Sequence, residues 1–401
     1  MTTPMQDNDI VIIAGARTPF GNFGGALAEL TATDLAVAAA RAAIERSGVP
    51  PESIDDVVFG NVIQTSSDAI YLARHAGLRA GIPVGVPALT LNRLCGSGLQ
   101  AIVSAAQSLA LGSSTYALAG GAENMSQAPH VVRGTRKGFA LGRDVAFEDS
   151  LWTALTDSYG NIPMAITAEN LAKQYGITRE ESDEFALTSQ GRALEAQSDG
   201  YFAEEIVPVE VPGSRGTVTV VDRDEGPRSG LTMEKLGKLP ARFVRDGVVT
   251  PGNASGITDG AAAVVLTTAR QARKDGIEWM GRLAGAGVVG VDPSIMGIGP
   301  AFSIPRALQR ADVALNDVAV IEINEAFAPQ VLACLREMGI PGDARLNPHG
   351  GAISLGHPLG ASGARIALTT LHELRRRGGG YGVASACIGG GQGIAAVFEV
   401  A

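Results

Sequence analysis

The sequence reads as an α/β protein assembled from two copies of one unit, with a further folded segment inserted into the first copy. Three observations lead there. Apolar runs of strand length alternate along the chain with longer segments whose apolar residues recur at helical spacing, a pattern of strand–helix–strand units with much parallel pairing. Landmarks of the amino-terminal part return in the same order near the carboxyl end. Two of them are displaced by the same 265 positions: Ser97-Gly98 returns as Ser362-Gly363, and Tyr116 returns as Tyr381. Finally, 45% of residues are apolar and 18% charged, and the 52 glycines fall in short clusters without a three-residue period. That composition excludes disorder and a collagen-like repeat.

Residues 9–14 (DIVIIA) read as a buried strand, and 32–46 as an alanine-rich helix closed by Gly48. A short apolar strand follows at 56–59. Residues 87–92 lead into Cys95-Gly96-Ser97-Gly98, after which Leu99, Ile102, Val103, Ala106 and Leu109 repeat at helical spacing up to Gly112. Residues 116–120 return as a strand. In the second copy Ser362-Gly363 opens another glycine-turn helix and Tyr381 begins the strand YGVASA. Upstream, 307–310 through Asp317-Val318 resembles 43–46 through Asp56-Val57, with three residues fewer.

Between the copies the character changes. Residues 126–253 hold Trp152 and many charges. Thr178-Arg-Glu-Glu181 is a capping box that opens a long helix through Gln197, and 207–222 alternate like exposed strands. Unstructured loops beyond roughly 15 residues are uncommon, so this is an insertion with its own structure. The expected division is 1–125 plus 254–276 for the first unit, 126–253 for the insertion and 277–401 for the second unit.

Cys95 sits where a strand gives way to a glycine turn and a helix. Free backbone N–H groups and the helix dipole there favour an anion, which is expected to lower the thiol pKa. The same N–H groups suit an oxyanion formed at a carbonyl attacked by the sulfur. The alternative is a buried structural cysteine. The turn is not a G-x-S-x-G elbow, so Ser97 is a poor nucleophile candidate. His357, just before the second copy's helix, occupies nearly the position that Cys95 has in the first. Two units packed about a pseudo-twofold would bring thiol and imidazole face to face, as an activated cysteine requires. A helix-capping loop histidine is the competing reading.

Cys387 ends the strand YGVASAC and precedes Ile388-Gly-Gly-Gly-Gln-Gly393. Only eight residues follow Gly393, too few for a dinucleotide-binding βαβ unit, so these glycines more plausibly admit a ligand close to backbone. Asn324-Glu325 at the end of an apolar strand suits either a helix cap or a polar catalytic pair. Cys334 lies on a helical apolar stripe and belongs to the core, and His349 reads as a loop residue. His75, His130 and His372 lack partners at metal-ligand spacing, and there is no C-x-x-C, so no metal site is expected.

Taken together, Asn92-Arg-Leu-Cys-Gly-Ser-Gly-Leu99, Asn324-Glu-Ala-Phe-Ala328, Gly356-His-Pro-Leu-Gly-Ala-Ser-Gly-Ala-Arg365 and Cys387-Ile-Gly-Gly-Gly-Gln-Gly393 resemble the four motifs of the thiolase family. The match runs from about Val11 to Phe398. The resemblance implies a duplicated fold: two βαβαβαββ halves stacked as five layers (αβαβα), with a loop domain inserted in the first half. It implies CoA-dependent cleavage of a 3-ketoacyl-CoA to acetyl-CoA and a shortened acyl-CoA, or the reverse Claisen condensation. Cys95 would be the acyl-accepting nucleophile, His357 its base, and Cys387 the group that protonates the enolate and deprotonates CoA. Oxyanions would be met by His357 with a water held by Asn324, and by the backbone N–H groups of Cys95 and Gly389. For CoA, Arg228 matches an arginine near the nucleotide, Phe243 and Ser255 match pantetheine contacts, and Met164 and Phe327 match tunnel-lining residues. Where many acetoacetyl-CoA-specific members have His-Met-Gly, this chain has Pro163-Met164-Ala165, which implies a broader or longer acyl range.

Net charge is −9, which argues against nucleic acid or anionic membrane as the main partner. Arg133, Arg136, Lys137 and Arg143 could still supply a local positive field in the insertion. No run approaches 18 apolar residues, so no membrane span is expected. The termini show no targeting signal, and three widely spaced cysteines do not suggest a disulfide framework; a reducing cytoplasm is the expected location. Expected partners are therefore acyl-CoA and CoA, the latter as co-substrate with no permanently bound cofactor, in a homodimer or homotetramer. A synthase-type condensing enzyme is the enzymatic rival, but such enzymes lack a second, proton-shuttling Cys. A non-catalytic acyl-CoA or lipid carrier would be expected to have lost a catalytic position, and here all are filled.

Overall fold

The computed structural model describes residues 5–401. In the first half the chain runs β1 (Ile10–Arg17), α1 (Ala32–Ser47), β2 (Asp56–Gly60), α2 (Leu72–Arg79), β3 (Ala88–Leu91), α3 (Ser97–Ala110) and β4 (Tyr116–Asn124). The insertion follows, carrying α4 (Met164–Tyr175), α5 (Arg179–Ser198) and a hairpin of β5 (Val209–Pro212) and β6 (Val218–Val221). Strand β7 (Thr258–Thr268) completes the first half. The second half is β8 (Gly281–Gly290), α6 (Gly299–Ala311), β9 (Val318–Ile323), α7 (Ala328–Glu337), α8 (Leu359–Arg376), β10 (Gly380–Ile388) and β11 (Gln392–Val400).

The strands stand in the order β3-β2-β4-β7-β1 and then β8-β11-β10-β9. The two sheets of the halves are linked strand to strand through two residue pairs between β1 and β8, Val11 with Arg282 and Ile12 with Gly281. Apolar packing divides into layers. One core lies between α1, α2 and the first sheet, a second wraps the central helices α3 and α8 between the sheets, and a third lies between α6, α7 and the second sheet. The expected five layers are therefore present.

Pairing corrects one expectation. Only β2–β3, β2–β4 and β9–β10 are parallel; β1, β7, β8 and β11 pair antiparallel with their neighbours. In the second half β10 doubles back into β11 through a tight turn, and such a return must be antiparallel. In the first half the whole insertion lies between β4 and β7, which also pair antiparallel. In the second half the counterpart of β3 shrinks to one bridge, Ile321 to Leu346.

Local chemistry explains the elements. Thr31 and Asp34 form a reciprocal capping box on α1, and Gly48 ends it at φ 67°. Thr178 and Glu181 do the same for α5, as the sequence indicates. In the β5–β6 hairpin Val209, Val211 and Val221 are buried while Val218 and Val220 stay exposed, which gives the alternation seen in the sequence. Cys334 is fully buried.

Candidate active site

The turn between β3 and α3 is locked by side chains. The Leu94 N–H donates to Asn92 Oδ1 at 2.8 Å, the Arg93 N–H to Ser97 Oγ at 2.8 Å, and Ser97 Oγ in turn to the Leu94 carbonyl at 2.7 Å. Leu94 is thereby held at φ 46°, a left-handed conformation that leucine adopts rarely and at a cost of about 1–3 kcal/mol. Its consequence is a sharp strand-to-helix corner that presents Cys95 at the mouth of α3, as a nucleophile elbow does for serine. At the next residue, a Cβ on Gly96 would come within 2.6 Å of the Ile388 side chain. Glycine lets this corner lie close against the end of β10, where Cys387 lies, without displacing the Ile388 side chain.

The backbone N–H groups of Gly389 and of Cys95 itself favour the thiolate form of Cys95. Burial nevertheless outweighs them and pushes the thiol up to about 11, with the Glu123 charge adding to the rise. This reverses the expected lowering: the helix terminus supplies N–H groups, but the apolar wall of Ile63, Met125, Leu151 and Leu359 against the half-buried Cys95 reduces the water that would stabilise a thiolate. Cys387 is fully buried, and its thiol is raised well above the usual range by burial, then by the charges of Cys95 and Cys334.

His357 stands between a short helix (Ala352–Leu355) and α8. Its N–H donates to the Gly256 carbonyl at 3.1 Å, Nδ1 lies 2.6 Å from Ser362 Oγ, and Nε2 lies 3.3 Å from Asn324 Nδ2. Burial, then the Arg365 charge, lower its pKa to about 3, so the ring is neutral at physiological pH. Asn324 is not a helix cap. It is fully buried at the end of β9, its N–H donates to the Ser385 carbonyl at 2.8 Å, and its Oδ1 has no partner among the described residues. Glu325 instead fastens three segments, accepting from Ser189 Oγ at 2.7 Å, Asn347 Nδ2 at 2.8 Å and the Ile353 N–H at 3.1 Å.

A mainly apolar pocket of about 380 Å³ opens onto this cluster, with Met164, Phe243, Ser255, Phe327 and His357 in its wall. Phe243 stacks on Trp152 with ring centroids 6.4 Å apart. Arg228 does not reach this pocket. It lines an adjoining narrow cavity that shares Ala254 and Gly256 with it, and its own N–H donates to Gln190 Oε1 at 2.8 Å. Arg133 pairs with Glu148 on the surface. His349, the expected loop histidine, pairs with Glu373 and stacks on Tyr201. Among the described residues, no group of three or more His, Cys, Asp or Glu is placed to hold a metal ion. A neutral thiol favoured as thiolate by two N–H groups, a second thiol near it, and a neutral imidazole in the wall of an apolar pocket suit acyl transfer through sulfur.

Residues 10–270 match the family model for the thiolase N-terminal domain, and 277–400 that for the thiolase C-terminal domain. The chain belongs to the thiolase family. It is 52% identical to the human mitochondrial 3-ketoacyl-CoA thiolase over 97% of this chain and 98% of that one. It is 48% identical to the acetyl-CoA acetyltransferase of Pseudomonas aeruginosa over 96% and 98%. The human mitochondrial 3-ketoacyl-CoA thiolase in complex with CoA superimposes with a TM-score of 0.95 at 50% identity, covering 100% of both chains.

Three contributors escaped sequence reasoning. Trp152 was visible only as an aromatic in the insertion; its stacking on Phe243 needs the fold. Glu123 accepts four N–H groups, from Asn61 Nδ2, Val62, Ile63 and Gly360, at 2.9–3.1 Å. Asn347, in left-handed backbone at φ 40°, mimics a strand neighbour for Ile323, exchanging bonds of 2.9 Å with its N–H and carbonyl. An Asn before Pro-His-Gly was the one available signal for it.

Proposed function

We propose that this chain catalyses CoA-dependent cleavage of 3-ketoacyl-CoA to acetyl-CoA and a shortened acyl-CoA, and the reverse Claisen condensation. The reading is supported by the Gly389 N–H acting on the Cys95 thiol, two residues from Cys387, and by the buried contact of His357 with Asn324. In this reading His357 Nε2 takes the Cys95 proton as the sulfur attacks the 3-keto carbon. The resulting alkoxide collapses, the Cα–Cβ bond breaks, and the enolate of acetyl-CoA departs. Cys387 gives that enolate its proton and then takes one from incoming CoA. The CoA thiolate attacks the acyl-Cys95 thioester, and the released Cys95 sulfur recovers its proton from His357. Oxyanions are met in turn by His357 with a water on the free Asn324 Oδ1, and by the Cys95 and Gly389 N–H groups. Cys387 has no place in a synthase-type or carrier reading.

Phe243, Ser255, Met164 and Phe327 would line the pantetheine arm, with Arg228 toward the nucleotide. We propose further that Pro163 in place of histidine leaves room for acyl chains longer than acetoacetyl. The exposed apolar side chains of Phe139, Leu141 and Phe147 suit the insertion as an assembly surface in a dimer or tetramer. The free thiols of the site suit a reducing cytoplasm. Side-by-side turnover of acetoacetyl-CoA and 3-ketooctanoyl-CoA with CoA tests the reading. Cleavage of both with kcat/KM favouring the longer substrate is expected, and cleavage of neither contradicts it.

A further inference from the structure

The imidazole of His357 is gripped from behind by one hydroxyl. Ser362 Oγ, on the first turn of α8, lies 2.6 Å from His357 Nδ1 and 2.9 Å from the Pro358 carbonyl oxygen. A serine hydroxyl has a single proton to give. The Pro358 oxygen has none, so that contact requires Oγ–H to point at it. The proton in the shorter contact must then come from Nδ1. With the reverse arrangement, two oxygens would face each other at 2.9 Å with no proton between them.

The other edge of the ring agrees. Asn324 Nδ2, 3.3 Å from Nε2, can only donate, and it needs a bare Nε2 to donate to. The Asn324 orientation is thus the one the serine requires, with its Oδ1 left free. Among the described residues, no carboxylate hydrogen-bonds to the ring. The chain of donors ends on a carbonyl, and the nearby Arg365, three residues beyond Ser362 and paired with Glu322 at 3.4 Å, repels added positive charge. Ser362 therefore orients the ring without favouring its protonated form, unlike the Asp of a Ser-His-Asp triad.

We infer that Ser362 is a positioning residue that fixes His357 as the Nδ1–H tautomer, so that the basic lone pair lies on Nε2, where Asn324 meets it in the resting enzyme. The inference rests on the reading of His357 as the base, and its test separates the two. In protein carrying 15N-labelled histidine, the His357 signals are assigned by their loss in His357→Gln. Wild type should show a protonated, pyrrole-like Nδ1 and a bare, pyridine-like Nε2 at neutral pH. Ser362→Ala should mix the tautomers and lower kcat by about 10- to 100-fold, less than the 10²–10⁴ that a whole general base contributes, with KM little changed. Ser362→Thr, which keeps the hydroxyl, should restore both the spectrum and most of kcat. A wild-type ring protonated on Nε2, or a Ser362→Ala enzyme with unmixed tautomer and full kcat, overturns the inference. His357→Gln turning over at the wild-type rate would instead remove the base reading, while the wild-type spectrum would still decide the tautomer.

Discussion

Gly98 and Gly363, the residues related by the 265-position repeat, each lie against the backbone of the other's helix. A Cβ on Gly98 would stand 2.6 Å from the Ala364 nitrogen, and one on Gly363 would collide with the Leu99 backbone. The contact is where α3 and α8 cross, three residues past Cys95 and six past His357. The pseudo-twofold that the repeat implies is therefore a physical contact, and it sets the spacing of the two reactive groups.

Gly98→Ala should force these helices apart. Rigid backbone on the facing side leaves no flexible atom to give way, and overpacking of this kind costs about 1–3 kcal/mol. The expected outcome is a lower melting temperature together with a fall in kcat. An enzyme with unchanged kcat would show that helix spacing does not govern the site.

The titration directions predict unusual pH behaviour. Burial pushes Cys95 up to about 11 and His357 down to about 3, so the resting pair is thiol and imidazole, not thiolate and imidazolium. Alkylation of Cys95 by iodoacetamide should rise about tenfold per pH unit from 7 to 9, because only the thiolate reacts. A plateau near pH 7 would contradict this. His357 also affects stability. Its folded pKa lies below the unfolded value of 6.5, so the folded state binds fewer protons, and its contribution is present above 6.5 and lost as pH falls toward 3. The melting temperature of His357→Asn should fall less steeply than that of wild type across this window.

Glu123 is fully buried and joins β4 to the loop after β2 and to the first turn of α8 through four N–H donors. Glu123→Gln turns an amide NH₂ toward donors that need an acceptor. About 2–3 kcal/mol of stability should be lost, and kcat should fall with it, since the Gly360 N–H stands three residues from His357. Thermal unfolding and steady-state kinetics check both. A variant as stable as wild type would show that water replaces the carboxylate.

Arg17, at the end of β1, meets Asp224 through two bonds of 2.7 and 2.9 Å and Glu205 through one of 2.8 Å, with all three side chains fully buried. The trio fastens the insertion to the first sheet. Asp224→Asn leaves buried charge undercompensated, which costs about 3–5 kcal/mol. A clear drop in melting temperature and faster proteolysis around 205–225 are expected. Glu234→Gln, at the exposed Lys238 pair, should leave the melting temperature unmoved.

Much of this was legible in the chain. The repeat placed Ser97 and Ser362 at related points, although α3 starts at Ser97 while α8 already starts at Leu359, three residues before Ser362, and the capping box at Thr178 is a pattern within four residues. Cys95, His357, Cys387, Asn324 and Gly389 were all named; the fold sets Asn324 against His357, and Gly389 and Cys387 near Cys95. What stayed hidden depends on contacts distant in sequence. The Cys95 thiol is raised because Ile63, Leu151 and Leu359 desolvate it, and no local motif announces that wall. Leu94 takes left-handed backbone because Asn92 and Ser97 hold it there, against the preference of its own side chain. Arg228, placed by resemblance beside the nucleotide, lines a neighbouring cavity, which only the fold separates from the tunnel.

The most direct test is the mass of the protein after incubation with 3-ketooctanoyl-CoA in the absence of free CoA. The account predicts a hexanoyl adduct on the peptide containing Cys95, discharged when CoA is added. It should be absent in Cys95→Ser and present in Cys387→Ala, with turnover slowed about 10²-fold or more for want of the proton carrier. An adduct that maps to Cys387, or normal turnover by Cys95→Ser, would contradict the account.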